Sequence, residues 1–181
     1  MNYQKNVLIG LGILSMLVAV ELLIFPRLER FRYSSTDRYI PYSDLENIED
    51  ILIKQKDFLQ ADTKTADLFF KIVGKEKLKR IGRLDVSNLS CQYLLQLDDI
   101  WKRASNGKFG FTAQSEVLNK SKANRDPSKL EANFREAVGW VKSNSSSRTY
   151  LQGYFPYKIY QDDFVVPSFS EKLRECVKDR G

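Results

Sequence analysis

The sequence predicts an all-α protein, with a single N-terminal transmembrane helix followed by a compact helical domain. Three observations predict this: a long apolar run near the N-terminus, apolar residues at three- and four-residue spacing downstream, and helix-start and helix-stop signals bracketing them. The 181 residues suffice for one core-bearing domain plus an appendage. Hydrophobic residues at 43% and charged residues at 29% are ordinary for a globular chain, so the N-terminal run is a local feature rather than a sign of a polytopic membrane protein.

From Val7 to Phe25 the chain runs for 19 residues with only Ser15 and Glu21 breaking its apolar character. At about 1.5 Å per residue such a helix spans roughly 28 Å, close to the hydrocarbon thickness of a bilayer. A cleaved signal peptide would have a shorter apolar core and small residues at a processing site, whereas this run leads into Leu22, Leu23, Ile24, Phe25 and Pro26. Residues 1–26 are therefore expected to anchor the chain in a lipid bilayer. Arg27, Arg30, Arg32 and Arg38 follow the run and Lys5 precedes it, which favours a C-terminal domain on the cytoplasmic or stromal side. Glu21 reads either as an intramembrane carboxylate that contacts a pigment or partner or, lying within about a turn of the interface, as one that snorkels.

Residues 27–41 form a basic, aromatic juxtamembrane linker, and residues 42–141 the expected helical core. Ser43-Asp44-Leu45-Glu46 has the pattern of a capping box, and Leu45, Ile48 and Leu52 follow on one face. A second helix is expected from about Asp62, with Thr65, Ala66, Phe69 and Val73 on one face and Gly74 as a C-cap. The two would form a helical hairpin, and because no second copy recurs at a fixed period, a solenoid is disfavoured. Periodicity lapses from Ile81 to Asn88. A third helix is expected from Ser90 to Ala104, with Leu94, Leu97 and Trp101 in a stripe, stopping at Ser105-Asn106-Gly107. Lys108-Phe109-Gly110-Phe111 sets two aromatics around a glycine before a short helix near Gln114 to Leu118. After a polar loop from Ser121 to Lys129, Ser128 to Glu131 repeats the capping-box pattern, and Leu130, Phe134 and Val138 make a face ending at Gly139-Trp140.

Residues 142–181 read as an aromatic-rich cover. Lys142 to Thr149 is a serine-rich loop, and Tyr150, Tyr154, Phe155, Tyr157, Tyr160, Phe164 and Phe169 follow with weak periodicity. Such density suits packing over a groove or a partner surface, or an irregular wrap around the helices. Ser170 is expected to cap a final short helix through Val177.

The chain has no histidine, which removes the commonest general base and the usual axial ligand to a haem or chlorophyll metal. Cys91 and Cys176 cannot build a thiolate metal site alone; they read as buried thiols in a reducing compartment, with a single disulfide between them left open. No phosphate loop or metal cluster is visible, and Asp98 and Asp99 read as ordinary surface charges. An enzyme is therefore not expected. Setting aside Lys5 and Glu21 leaves 28 basic and 22 acidic residues from Pro26 onward, a net of +6. The basic residues are spread rather than striped, so nucleic acid is not an expected partner, while an anionic membrane or acidic partner is.

Three pieces of the chain, read together, resemble a known family. They are Asp57 to Ala66, with its Ala61-Asp62 pair; Cys91 through Asp98 and Trp101 to Ser105-Asn106-Gly107-Lys108-Phe109-Gly110-Phe111 and Gln114; and Phe134 with Val138-Gly139-Trp140. In that order and spacing they resemble the genomes-uncoupled-four family, porphyrin-binding accessory proteins of magnesium chelatase in oxygenic phototrophs. The resemblance spans about half the chain and leaves out the apolar run. It implies a helical domain with a cupped groove holding protoporphyrin or its magnesium form non-covalently, without catalysis.

By resemblance the groove involves Leu89, Phe109, Phe111, Val138, Gly139 and Trp140 with the loop that follows, and Arg148 or Lys158 would pair with a propionate. The family's Phe-Pro-Cys pattern is replaced here by Leu89-Ser90-Cys91, and its arginine, glycine, histidine and proline cluster after the tryptophan is missing. Two roles follow as expectations. One is a tetrapyrrole-binding regulator tethered to a thylakoid or plastid membrane and contacting the magnesium chelatase large subunit. The other is a non-catalytic assembly or linker subunit of a photosystem or antenna complex with a degenerate groove.

Overall fold

Helix α1 (Tyr42–Asp50) buries Leu45 and Ile48 and continues into a π-helical turn, Ile51–Gln55, that buries Ile51 and Leu52. The structure is a computed structural model that describes residues 42–122, 126–141, 150–160 and 164–179. Ser43 lies inside α1 rather than capping it. Lys56, at φ 57°, stops the turn, and Asp57 caps α2 (Phe58–Ile72) by accepting the Gln60 amide at 2.9 Å. That cap starts α2 four residues before Asp62, where periodicity alone put it, and Asp62 becomes a helix-interior residue.

The segment without clear periodicity contains a short helix, α3 (Arg83–Ser87), held by the Asp85 carboxylate, which accepts the Gly82 amide at 2.7 Å and the Lys75 ammonium at 2.6 Å. Helix α4 (Cys91–Ala104) buries the expected stripe of Leu94, Leu97 and Trp101. The Trp101 indole donates to Thr65 Oγ1 at 3.1 Å, locking α4 to α2. After α4, Ser105 Oγ donates to Trp101 O at 2.7 Å and accepts the Phe109 amide at 2.9 Å, so one hydroxyl both closes the helix and starts the aromatic turn.

Helix α5 (Phe111–Lys122) is longer than its pattern predicts, because its inner face carries Gln114, Ser115 and Ser121, which are buried with partners. Asp98, expected on the surface, is buried and accepts both the amide (2.7 Å) and the hydroxyl of Thr112 at the start of α5. Its neighbour Asp99 is exposed and pairs with Arg103 at 2.8 Å. Asp126, not Ser128, caps the 3-10 turn Pro127–Lys129 that leads into α6 (Leu130–Ala137). The last helix, α7 (Val166–Lys178), begins before Ser170, whose hydroxyl instead meets Ser115 Oγ at 2.6 Å in the interior.

The core sits where α5 packs on α6 and α7, α7 also touches α3 and α4, and α2 packs on α1 and on a 3-10 turn at Lys158–Tyr160. Its largest fully buried side chains are Trp101, Tyr160, Phe69, Phe111, Phe134, Phe155 and Phe169. Burying seven rings places this helical scaffold within the usual range of large aromatic contributions, each about 1.5–3 kcal/mol relative to exposure. Cys91 and Cys176 are joined in a disulfide that ties the start of α4 to α7 across 85 residues, correcting the expectation of thiols.

The apolar run Val7–Phe25, the linker, the serine-rich loop and Arg148 lie outside the described residues. Among the described residues no helix is long and apolar enough to cross a membrane.

Candidate functional site

The irregular segment from Tyr150 to Tyr160 has few backbone partners of its own, so side chains from two helices satisfy it. The Asp62 carboxylate on α2 accepts the amides of Tyr157 (2.7 Å) and Lys158 (3.1 Å). Gln114 on α5 donates through Nε2 to Gly153 O (3.1 Å) and Pro156 O (2.6 Å), and its Oε1 accepts the Tyr160 hydroxyl at 2.7 Å. Among the described residues no buried side-chain nitrogen or oxygen lacks a partner.

The aromatic-glycine turn supplies two further ties, Gly110 N to Phe155 O at 3.0 Å and Gly153 N to Lys108 O at 2.9 Å. Gly110 has φ 111°, and a Cβ there would stand 2.9 Å from the Asp98 carboxylate and 3.3 Å from Trp101 Cβ. Only glycine fits that position. The turn is thus a packing device that seats the 150–160 segment against α4 and α5.

Held this way, the segment presents half-buried rings on one face. Trp140, just past α6, donates its indole N–H to Tyr154 O at 2.8 Å and lies 5.0 Å from the Tyr157 ring. Tyr150 and Tyr154 are 4.7 Å apart, and Tyr154 and Tyr157 6.1 Å. Leu151 is exposed, with its Cδ1 against Gly139 near the Tyr154 ring, and Val141, next in sequence to Trp140, is also exposed. Leu59, on the first turn of α2, is exposed as well, and its carbonyl accepts the Thr63 hydroxyl.

Two cations border this shelf. Lys158 Nζ donates to Thr63 Oγ1 at 2.7 Å and sits near the buried Asp62. The Arg135 guanidinium lies over Trp140 at 5.8 Å and Phe164 at 6.0 Å while its Nε holds Glu131 at 2.7 Å. Burial raises the Asp62 carboxyl to about 6 against the two amides and the Lys158 charge that oppose the shift. Burial likewise raises Asp98, opposed by Thr112, and the phenols of Tyr154 and Tyr160.

Of the residues expected to line a groove, Leu89, Phe109, Phe111 and Val138 are buried in the core. Phe111 stacks on Phe169 at 5.2 Å and meets Phe69 edge-on at 5.6 Å, and Phe109 packs against Phe58 and Phe155. Their ring faces are used within the protein. Trp140 and Gly139 are partly exposed, and among the described residues of this set Trp140 is the one whose side chain is on the shelf. Tyr154 and Tyr157, and the clamps Asp62 and Gln114, were not among the residues expected to build the groove. Their signal was faint: a carboxylate and an amide set among apolar helix positions. Among the described residues no group of His, Cys, Asp or Glu could hold a metal ion.

The described residues thus form a helical scaffold with a half-buried aromatic shelf edged by Lys158 and Arg135. Residues 35–171 match the family described as GUN4-like, and the chain belongs to that family.

A curated relative, the chloroplastic tetrapyrrole-binding protein of Arabidopsis thaliana, is 28% identical over 119 residues, which cover 65% of this chain and 41% of that protein. The chain thus spans less than half the length of this relative. The fold is similar to GUN4 from Chlamydomonas reinhardtii, with TM-score 0.55 and 25% identity over 79% of this chain and 96% of that one. It is also similar to ligand-free Arabidopsis thaliana GUN4, with TM-score 0.54 and 20% identity over 71% of this chain and 92% of that one.

Proposed function

We propose that this protein binds a tetrapyrrole, protoporphyrin or its magnesium form, non-covalently on the shelf of Trp140, Tyr150, Tyr154 and Tyr157. The observation that carries the reading is the set of half-buried rings beside exposed Leu151, with Lys158 at one edge. A flat macrocycle covers such a surface by apolar burial, and an ammonium at the rim suits a propionate. The name of the Arabidopsis relative supports the same ligand class.

The role is to hold and deliver rather than to catalyse. Asp62 and Asp98, the buried carboxylates nearest the shelf, each accept backbone amides and serve the scaffold. The ligand supplies the pigment ring, and the chain supplies a wall, a charged rim and a dry underside. The chain has no imidazole to offer a bound magnesium porphyrin.

In the fuller reading, the protein works in chlorophyll synthesis as an aid to the magnesium chelatase large subunit, tethered to a plastid or thylakoid membrane by its first 26 residues. Family membership and the apolar run Val7–Phe25 support this. Titration of the full chain, in detergent micelles, with protoporphyrin tests the ligand. The expected result is a shifted Soret band with quenching of tryptophan fluorescence at micromolar ligand. An unchanged Soret band and unchanged fluorescence would overturn it, and stable co-purification with a photosystem instead would favour the assembly role.

A further inference from the structure

The two most exposed large hydrophobic side chains among the described residues are Leu84 (80%) in α3 and Leu78 (73%) in the turn before it, six positions apart. Around them stand Lys77, Lys79 and Arg83, with Glu76 the single acidic residue from Gly74 to Leu84, while Lys75 is paired with Asp85. The segment has definite structure. Lys75 N donates to Phe70 O at 2.7 Å, Lys79 N donates to Lys75 O at 2.9 Å, and Ile81 between the two leucines is buried in the core. Asp85 then fastens one side of the segment to the other through Lys75 and the Gly82 amide.

Such anchoring leaves both leucines in water, although rotation of either into the core would be favourable if space allowed. A lone exposed leucine needs no explanation, but two in one short segment rich in cations form a patch of definite chemistry. Complementarity of charge points to an anionic partner. The form of the patch narrows the choice further. Helix α3 has five residues, too few to present the i, i+3, i+4, i+7 row that seats a partner helix, and the leucines stand on a turn and a short helix rather than along a stripe. A lipid interface accepts isolated apolar side chains without shape matching, while lysines and arginines beside them meet headgroup phosphates.

We infer that residues 74–84 form a docking patch for an anionic lipid surface, with Leu78 and Leu84 entering the headgroup boundary and the surrounding cations meeting lipid phosphates. This goes beyond the pigment-binding reading and uses none of its residues. The patch would hold this side of the domain against a membrane whether or not the apolar N-terminal run is inserted.

The test uses the full chain carrying Leu84→Cys labelled with an environment-sensitive nitrobenzoxadiazole group, the two native cysteines being joined to each other. A second protein, labelled through Glu136→Cys on exposed α6, is the control. Each is mixed with vesicles of phosphatidylcholine alone or of phosphatidylcholine and phosphatidylglycerol in equal parts. The inference expects the label at 84 to brighten several-fold and shift to the blue with the anionic vesicles alone. It also expects that response to fade in high salt and in a Lys77→Glu, Lys79→Glu background, with the label at 136 unmoved. No response at 84 on anionic vesicles would overturn it, as would an equal response on neutral ones. A response to a poly-glutamate peptide without one to anionic vesicles would overturn it in favour of an acidic protein partner. Because the readout is independent of porphyrin, failure here and failure of the pigment titration are distinguishable.

Discussion

The Asp62 carboxylate on α2 accepts the Tyr157 amide at 2.7 Å across 95 residues of chain, and this contact fixes the aromatic segment to the helical scaffold. Burial raises the Asp62 carboxyl to about 6. A carboxyl with a higher pKa in the folded than in the unfolded chain binds its proton more tightly when folded. Its contribution therefore favours the native state below the ordinary value of 3.8 and is lost as pH rises through about 6. A rise of that size corresponds to about 3 kcal/mol. Asp62→Asn keeps an oxygen acceptor and removes the titration. In urea unfolding at about pH 4 and about pH 7.5, the wild type should lose about 2.5 kcal/mol more than Asp62→Asn on going to the higher pH. Equal changes in the two proteins would show that Asp62 titrates normally.

Gly110→Ala tests the aromatic turn. The added methyl meets the Asp98 carboxylate at 2.9 Å at a positive φ that L residues rarely adopt, so the backbone has to move away from Trp101 and Thr112. A cost of about 2–4 kcal/mol is expected, combining backbone strain with loss of contacts. The urea midpoint should fall while far-ultraviolet circular dichroism stays helical. A variant as stable as the wild type would mean that the turn adapts and does not position residues 150–160.

Helix α4 was legible because Leu94, Leu97 and Trp101 repeat at helical spacing and Ser105-Asn106-Gly107 ends them with two positive-φ residues. Helix α5 was only partly legible. Gln114, Ser115 and Ser121 break the apolar pattern, yet Gln114 and Ser115 find buried partners that only the tertiary structure supplies, and Ser121 donates to Val117 O in its own helix. The same limit hid the difference between Asp98 and Asp99, adjacent carboxylates of which one caps α5 from inside and the other pairs in solvent. At the site, Trp140 was legible from its family motif. The shelf was not, because residues 150–160 follow no helical or strand period and take their course from Asp62 and Gln114. Pairing of Cys91 with Cys176 likewise depends on α7 returning to the start of α4, information absent from local pattern.

That pairing yields a third prediction. A crosslink closing 85 residues restricts the unfolded chain, which by the loop-entropy argument stabilises the native state by about 4.5 kcal/mol. Isolated under non-reducing conditions with free thiols blocked, the chain should incorporate no blocking reagent at either cysteine. Cys91→Ser, Cys176→Ser together should lower the urea midpoint without loss of helicity. Full alkylation of both cysteines in the unreduced protein would show them to be thiols after all.

The last prediction separates charge from apolar burial on the shelf. Lys158 Nζ reaches Thr63 Oγ1 at 2.7 Å and has no carboxylate hydrogen-bond partner among the described residues, so it is available at the rim for a ligand's acid group. Its backbone amide, not its ammonium, is what Asp62 accepts, and Lys158→Ala leaves that contact in place. A partly exposed charge pair with a propionate is worth about 1 kcal/mol, or about fivefold in affinity. Protoporphyrin should therefore bind Lys158→Ala about fivefold more weakly than the wild type. The dimethyl ester of the same porphyrin, which has no charged propionates, should bind both proteins alike. If the variant weakens both ligands equally, Lys158 acts through the shape of the shelf; if it weakens neither, the acid group lies elsewhere on the protein.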